Sequence, residues 1–222
     1  MKICIVLSTR PEIIKLAPLI EAFTKKKINF FLVNTNQHYS KNMSKVFFDF
    51  FRIKYPKYNI NANSSKEGDF FAKAVSGVER ILYKEKPNFL IIQGDTNTAL
   101  AGCFAASVYN RKQDKKINIV HVEAGLRSFD NNMPEEVNRK LIDQMSNTLF
   151  VPTKFDLENL KSEDITLDKK IFITGNTISD IVKNYLPLIK KNNILEMFQI
   201  FKKEYFLVTI HRPESVDDVS KF

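Results

Sequence analysis

No apolar run in this 222-residue chain approaches the roughly 18 residues that a membrane-spanning helix needs. The first stretch, MKICIVLSTRPE, offers only about six apolar or small residues in a row before Arg10, too few for a secretory signal core and its cleavage site. Cysteine is scarce. Cys4 and Cys103 stand alone, without CxxC or ligand spacing, and Cys4 lies inside the first apolar run. Two buried thiols in a cytoplasmic protein are the expectation, rather than a disulfide framework. No His or Cys pair has metal-ligand spacing, so no metal site is expected. The chain also lacks a GxGxxG fingerprint and a Walker loop, which removes the usual signals for a bound dinucleotide or a P-loop nucleotide. Internal repeats and low-complexity linkers are missing too.

What is present is an ordinary globular composition, 44% hydrophobic and 27% charged, with enough apolar residues to bury a core. The length suits one full α/β domain plus part of a second. A formal net charge of +9 raises the question of nucleic acid. The lysines are scattered, however, as at Lys25 to Lys27, Lys84, Lys86, Lys115, Lys116, Lys190 and Lys191, mostly at the ends of helical patterns. There they complement the helix dipole and add solubility. No basic stripe interleaved with aromatics appears, so a nucleic-acid partner is not expected. A small anionic ligand accounts better for the few well-placed basic residues.

Short apolar runs alternate with longer segments of helical period. KICIVL precedes a helical pattern over 12–26 in which Ile13, Leu16, Ile20 and Phe23 share a face. NFFLVNT precedes a helix near 42–51, a further helix covers 69–85, and FLIIQ precedes one over 98–110. INIVHV follows, then a helix opening at Pro134, then the short strands TLFVPT and IFITG. Two helices lead to a last strand, YFLVTI. This alternation, with strands of fully buried type, indicates an α/β fold: a Rossmann-like, doubly wound parallel sheet with helices on both faces. Residues 1–183 form the first domain, and 184–204 read as the passage to a second.

The unusual polar residues sit at strand ends. STRPE, NTNQH, QGDTNT, HVEAG, GNT and HRPES each follow an apolar strand. In open parallel sheets the carboxyl edge is where ligands bind, because loops and helix N-termini converge there. Arg10, Lys15, Asp95, Glu123, Arg127, Glu135, Arg139 and His211 fall in or next to these clusters. Basic groups suit a diphosphate, and several separate carboxylates suit proton transfer.

Plainer readings exist for each. Asp95 before Thr is a natural helix N-cap. Pro134, Glu135 and Glu136 read as a first helical turn with acids facing the dipole. Glu135 with Arg139, and Arg139 with Asp143, are ordinary i,i+4 pairs. Arg10 has Glu12 as a neighbour to pair with, and His121 is expected to bond to backbone at a strand end.

STRPEIIKLAPLI, NQHYS, QGDTNTALAG, HVEAGLRSFDNNMPEEVNR, TGNTISD and VTIHRPES together resemble the non-hydrolysing UDP-N-acetylglucosamine 2-epimerase family, in the family's order and across nearly the whole chain. The PEEVNR element after HVEAG is the most diagnostic. The resemblance implies a glycosyltransferase-B-like fold of two Rossmann-like domains around a cleft. It also implies interconversion of UDP-GlcNAc and UDP-ManNAc without metal, nicotinamide or other cofactor, for cell-surface polysaccharide synthesis, usually by a homodimer. Matched motif by motif, Asp95, Glu123 and Glu135 correspond to the family's catalytic carboxylates and His211 to its cleft histidine. Arg10, Lys15 and Arg139 correspond to substrate-binding residues. Gln37 and His38 match a motif tied in some members to a second, regulatory UDP-GlcNAc; Ser40 departs from it.

Chemistry makes that inventory intelligible. The C2 proton of the sugar is not next to a carbonyl, so an enzyme must oxidise C3 transiently or expel UDP from C1 to form a glycal. The missing dinucleotide fingerprint favours elimination, which needs a base at C2, stabilisation of the departing diphosphate and a proton donor for the return. Ser8 and Asn36 stand where the family has glycine, and Ser215 where it has Asn. Asn tolerates a left-handed backbone, whereas Ser8 is expected to crowd a close approach. Residues 184–222 correspond to the linker and first strand of a truncated nucleotide-binding domain. Two readings follow: an epimerase seen in part, whether as a fragment or as half of a split enzyme completed by a separate polypeptide, or an inactive remnant. An epimerase acting on another UDP-2-acetamido sugar, or a glycosyltransferase of the same architecture, are further alternatives.

Overall fold

The structure is a computed structural model; it describes residues 1–37 and 41–210, with 41–44 described by backbone alone. It divides into two compact units, Met1–Lys183 and Asn184–Phe222. The first unit is built on a seven-stranded sheet. The strands are β1 (Ile3–Leu7), β2 (Phe30–Asn34), β3 (Tyr58–Asn59), β4 (Phe89–Gln93), β5 (Asn118–Val122), β6 (Thr148–Val151) and β7 (Lys170–Ile173). They lie in the order β3-β2-β1-β4-β5-β6-β7. Each neighbouring pair runs parallel. All five residues of β1 are buried, which is why KICIVL reads as an unbroken apolar run.

Successive side chains divide between two cores. Cys4, Val6, Leu90, Ile92 and Ile119 face one side. There they meet α3 (Glu67–Glu85), α4 (Asn97–Arg111) and α5 (Pro134–Met145). Ile3, Ile5, Leu7, Ile91 and Val120 face the other, against α1 (Arg10–Lys25) and α2 (Lys41–Phe50). Helix α4 lies unusually close to the sheet. A Cβ on Gly102 would stand 3.2 Å from Ile92 and 3.3 Å from Val6, and its buried neighbours are alanines 99, 101, 105 and 106. On the α1 side, the sheet leaves an apolar groove of about 390 Å³ lined by Leu19, Phe23, Phe89, Ile91, Val120 and Phe150.

The chain leaves β1 for β2 and β3 on one side, then returns to β4 on the other. The order therefore reverses between β1 and β4, and the crevice beyond their carboxyl ends is the natural ligand position. STRPE and QGDTNT flank that reversal. HVEAG and GNT lie along the same edge beyond β5 and β7; HRPES falls outside the described residues.

Several expectations need correction. Helix α6 (Lys154–Ser162) and the two-residue β3 were not foreseen. YFLVTI carries no strand, because a β-strand needs a neighbour to pair with and none pairs with it among the described residues; Phe206 is 98% exposed. Helix α7 (Thr177–Lys190) runs across the boundary between the units at Lys183, and α8 (Ile194–Met197) follows it. Both cysteines are free and buried, and burial pushes the Cys103 thiol up to about 12.

Candidate active site

Glu123 is the hub of the carboxyl edge. It is the first residue after β5, and its backbone is left-handed at φ 73°, a conformation that favours glycine. Two bonds pin it there: Glu123 N and Ala124 N both donate to the Phe150 carbonyl, at 3.1 and 3.0 Å. Gly125 follows with φ 81°, and its missing Cβ leaves room for the Asp156 backbone of α6. The turn aims the Glu123 carboxylate back across the sheet. Lys15 Nζ of α1 donates to its Oε2 at 2.6 Å, and Gln93 Nε2 at the end of β4 donates to the same oxygen. Asn176 Nδ2, beyond β7, donates to Oε1 at 2.7 Å. The side chain is only 7% exposed, so this anion is desolvated and held by one cation and two amides.

Asp95 lies in the next loop, after Gly94 with φ 72°. Its carboxylate is 2.5 Å from Arg139 Nη2, and Asn138 Nδ2 holds its backbone carbonyl at 2.8 Å. Asp95 is thus not the cap of α4. Thr96 is, accepting from Ala99 N at 3.0 Å and donating to Glu12 Oε1 at 2.8 Å.

Glu135 and Glu136 part company at the start of α5. Glu136 is fully buried and accepts from Ser128 N at 2.9 Å, Phe129 N at 3.2 Å and Arg139 Nη1 at 3.0 Å. Burial works to raise its pKa, but the bonds from Ser128, Arg139 and Phe129 outweigh it and hold the carboxyl below its ordinary range. Glu135 is exposed, and its side chain forms no hydrogen bond or ion pair among the described residues. It stands one helical turn before Arg139, and a carboxylate free of internal partners is available to a ligand. The expected i,i+4 pairs do not form: Arg139 is taken by Asp95 and Glu136, Asp143 by other partners.

Those partners form a buried chain beneath the site. His121 Nδ1 is 2.6 Å from Asp143 Oδ1, and its Nε2 is 2.9 Å from the Gly94 carbonyl. Asp143 Oδ2 accepts from Arg127 Nη1 at 2.8 Å and Gly125 N at 3.1 Å; Arg127 continues to Glu163 through two bonds. Burial would raise the Asp143 pKa, yet His121 and Arg127 hold it low. His121 therefore has the expected backbone partner and an unforeseen carboxylate. Arg127 ties Asp143 of α5 to Glu163 at the end of α6.

Arg10 does not pair with Glu12. It is exposed, and its side chain has no hydrogen bond or ion pair among the described residues. Glu12 is buried and accepts from Ser8 N at 3.0 Å and Thr9 N at 2.7 Å, tying STRPE to the N-terminus of α1. Burial pushes its carboxyl pKa up. Ser8 does not crowd the loop: its backbone is not left-handed, and its hydroxyl accepts from Gln37 N at 2.6 Å. Asn36 is left-handed at φ 57°, as a glycine substitute there must be. Gln37 Oε1 accepts from Thr98 Oγ1 at 2.8 Å, which binds the loop after β2 to the first turn of α4. His38 and His211 lie outside the described residues. No cluster that could hold a metal occurs among the described residues.

Side chains from α1, the end of β4 and the segment after β7 thus converge on Glu123, and Arg139 of α5 meets Asp95 in the loop after β4. Gln93, Asn176 and Glu12 were not singled out from the sequence. Glu12 was legible as the partner of Thr9 in an N-terminal capping box; Gln93 and Asn176 were visible only as polar residues inside quoted motifs.

Residues 21–222 match the family model described as UDP-N-acetylglucosamine 2-epimerase. A protein of that description from Methanocaldococcus jannaschii is 48% identical over 221 residues, covering 98% of this chain and 58% of the relative. One from Methanococcus maripaludis is 50% identical over 220 residues, covering 98% and 58%. A solved structure of the M. jannaschii UDP-GlcNAc 2-epimerase in complex with UDP-GlcNAc and UDP aligns with a TM-score of 0.87 at 46% identity, covering 98% of this chain and 59% of that one. The chain thus spans little more than half the length of the relatives it matches, and its sheet is the first Rossmann-like unit of their glycosyltransferase-B-like architecture. With its family model, its relatives and its sheet in agreement, the chain belongs to the UDP-N-acetylglucosamine 2-epimerase family.

Proposed function

We propose that this chain supplies the proton-transfer half of an enzyme that interconverts UDP-GlcNAc and UDP-ManNAc, the remaining length of its relatives supplying most of the nucleotide-binding half. The observation that carries the reading is the carboxylate set at one sheet edge: Glu123 held by Lys15, Gln93 and Asn176, Asp95 held by Arg139, and Glu135 unpaired on the same helix as Arg139. Epimerisation at C2 needs more than one such group, because the proton leaves from one face and returns to the other.

A carboxylate takes the C2 proton, the C2–H electron pair becomes the C1=C2 bond, and the C1–O bond breaks with its electrons on the departing UDP. UDP then adds back to C1 while a second group delivers a proton to C2 from the opposite side. Redox state is unchanged overall. Arg10 and Lys15 are assigned to the diphosphate side, with His211 joining them, and Arg139 holds Asp95 in place. Pairing of two complete copies and a cytoplasmic location accompany this reading.

The test incubates the chain with UDP-GlcNAc in heavy water, alone and together with a polypeptide supplying the missing part. Deuterium at C2 together with UDP-ManNAc in the completed enzyme, lost in Glu123→Gln, supports the reading. Absence of exchange in a folded, UDP-binding completed enzyme overturns it.

A further inference from the structure

Asn176 belongs to two structures at once. Its Oδ1 accepts from Ile178 N at 3.0 Å, and its backbone carbonyl accepts from Ser179 N at 3.0 Å, so it shapes the first turn of α7. The other end of the same planar amide, Nδ2, donates to Glu123 Oε1 at 2.7 Å. Gly175 just before it is left-handed at φ 78°, which lets the chain leaving β7 turn its next side chain toward Glu123.

The arrangement on Glu123 gives that bond a particular value. Lys15 and Gln93 both bind Oε2. Two donors on one oxygen fix a point and leave the carboxylate free to swing about it, because the last torsion of a glutamate is soft. A third donor on the other oxygen fixes the plane. Helix α7, in turn, carries the chain from the first unit into the second, since it runs Thr177–Lys190 across the boundary at Lys183.

We propose that Asn176 is a positioning residue: it sets the plane of the Glu123 carboxylate and makes that plane depend on the ordered first turn of α7. Only an amide serves both ends. Aspartate caps the helix and repels the carboxylate, serine caps it and falls short, and alanine does neither. The part of this inference that concerns turnover rests on Glu123 acting on the sugar; the link between Asn176 and Glu123 does not.

The two parts are read separately. In the 222-residue chain carrying carbon-13 at its glutamate carboxyls, the Glu123 signal is the one lost in Glu123→Gln. The groups that meet Glu123 are Lys15 from α1, neutral Gln93 from β4, neutral Asn176 and the Phe150 carbonyl from β6, so one charged neighbour is present among the described residues. Asn176→Asp places a like charge against it. The Glu123 titration midpoint is expected to rise by about one unit or more, with slow amide exchange at Ile178 and Ser179 retained. Asn176→Ala is expected to raise the midpoint by less and to speed exchange at both amides. A Glu123 titration in Asn176→Asp that overlays the parent overturns the proposal.

In the completed enzyme, Asn176→Ala is expected to lower kcat about 10- to 100-fold while KM stays within about threefold. An active parent with an equally active Asn176→Ala also overturns it. A parent without turnover whose Glu123 still responds to Asn176→Asp refutes the epimerase reading and supports the link.

Discussion

Arg139 joins Asp95, from the loop after β4, to Glu136, from its own helix: one guanidinium nitrogen is 2.5 Å from the first carboxylate and another 3.0 Å from the second. A planar fork can hold two carboxylates in a fixed relation, and an ammonium cannot. Arg139→Lys should keep the charge and lose one of the two contacts; Arg139→Ala should lose both. Because Asp95 is partly solvated, the stability loss for alanine is expected to be about 1–2 kcal/mol, with lysine in between. Urea midpoints measure it, and a lysine variant as stable as the parent would show that the fork is not needed.

Glu135 and Glu136 provide a sharper contrast, since the two differ only by one position. Glu136→Gln turns an amide toward donors that now meet an anion, and should cost about 2 kcal/mol. Glu135→Gln should leave stability within about 0.5 kcal/mol while removing proton exchange in the completed enzyme. Equal stability losses for the two would contradict the geometry.

Asp143 is buried between His121 and Arg127, two residues from different elements. Asp143→Asn leaves a buried guanidinium short of its counter-charge and should destabilise by about 3 kcal/mol or more. Its folded pKa lies below the ordinary value, so the stability it contributes is present above that value and disappears as pH falls through the folded pKa. Comparing denaturation of parent and variant across the acid range tests both statements.

Glu85 acts at the opposite edge of the sheet. Lys2, Lys57 and Tyr58 all donate to its carboxylate and hold its pKa at about 2 rather than 4.5. The clasp therefore stabilises fully above 4.5 and is lost as pH falls toward 2. Glu85→Gln should flatten the dependence of stability on pH in that window, measured by urea unfolding in low salt. An unchanged slope would mean that other carboxylates dominate acid unfolding.

The sheet was legible from its strands because parallel strands buried on both faces leave uninterrupted apolar runs, as in ICIVL and FLIIQ. Helix α6 was not, since only Asp156 and Leu160 are buried along its nine residues and no apolar stripe results. Its readable signal was the reciprocal cap between Thr153 and Asp156. YFLVTI shows the reverse error: strand character in sequence is not a strand without a neighbour. At the site, the placing of Glu123 and Asp95 at strand ends followed from pattern. That Lys15 would meet Glu123, and that Asp143 would be claimed by His121 and Arg127 instead of Arg139, depends on contacts distant in sequence, which no local spacing encodes.

The left-handed backbone at Glu123 has a consequence for any attempt to make this chain sturdier. Replacing a strained non-glycine by glycine, or by asparagine, commonly relaxes a fold by about 1 kcal/mol. Position 123 is therefore where a screen that rewards thermal tolerance alone would gather substitutions, and each of them would delete the hub carboxylate. That a glutamate occupies a position whose geometry suits glycine sets durability against the carboxylate that Lys15, Gln93 and Asn176 hold and, under the proposed function, against activity.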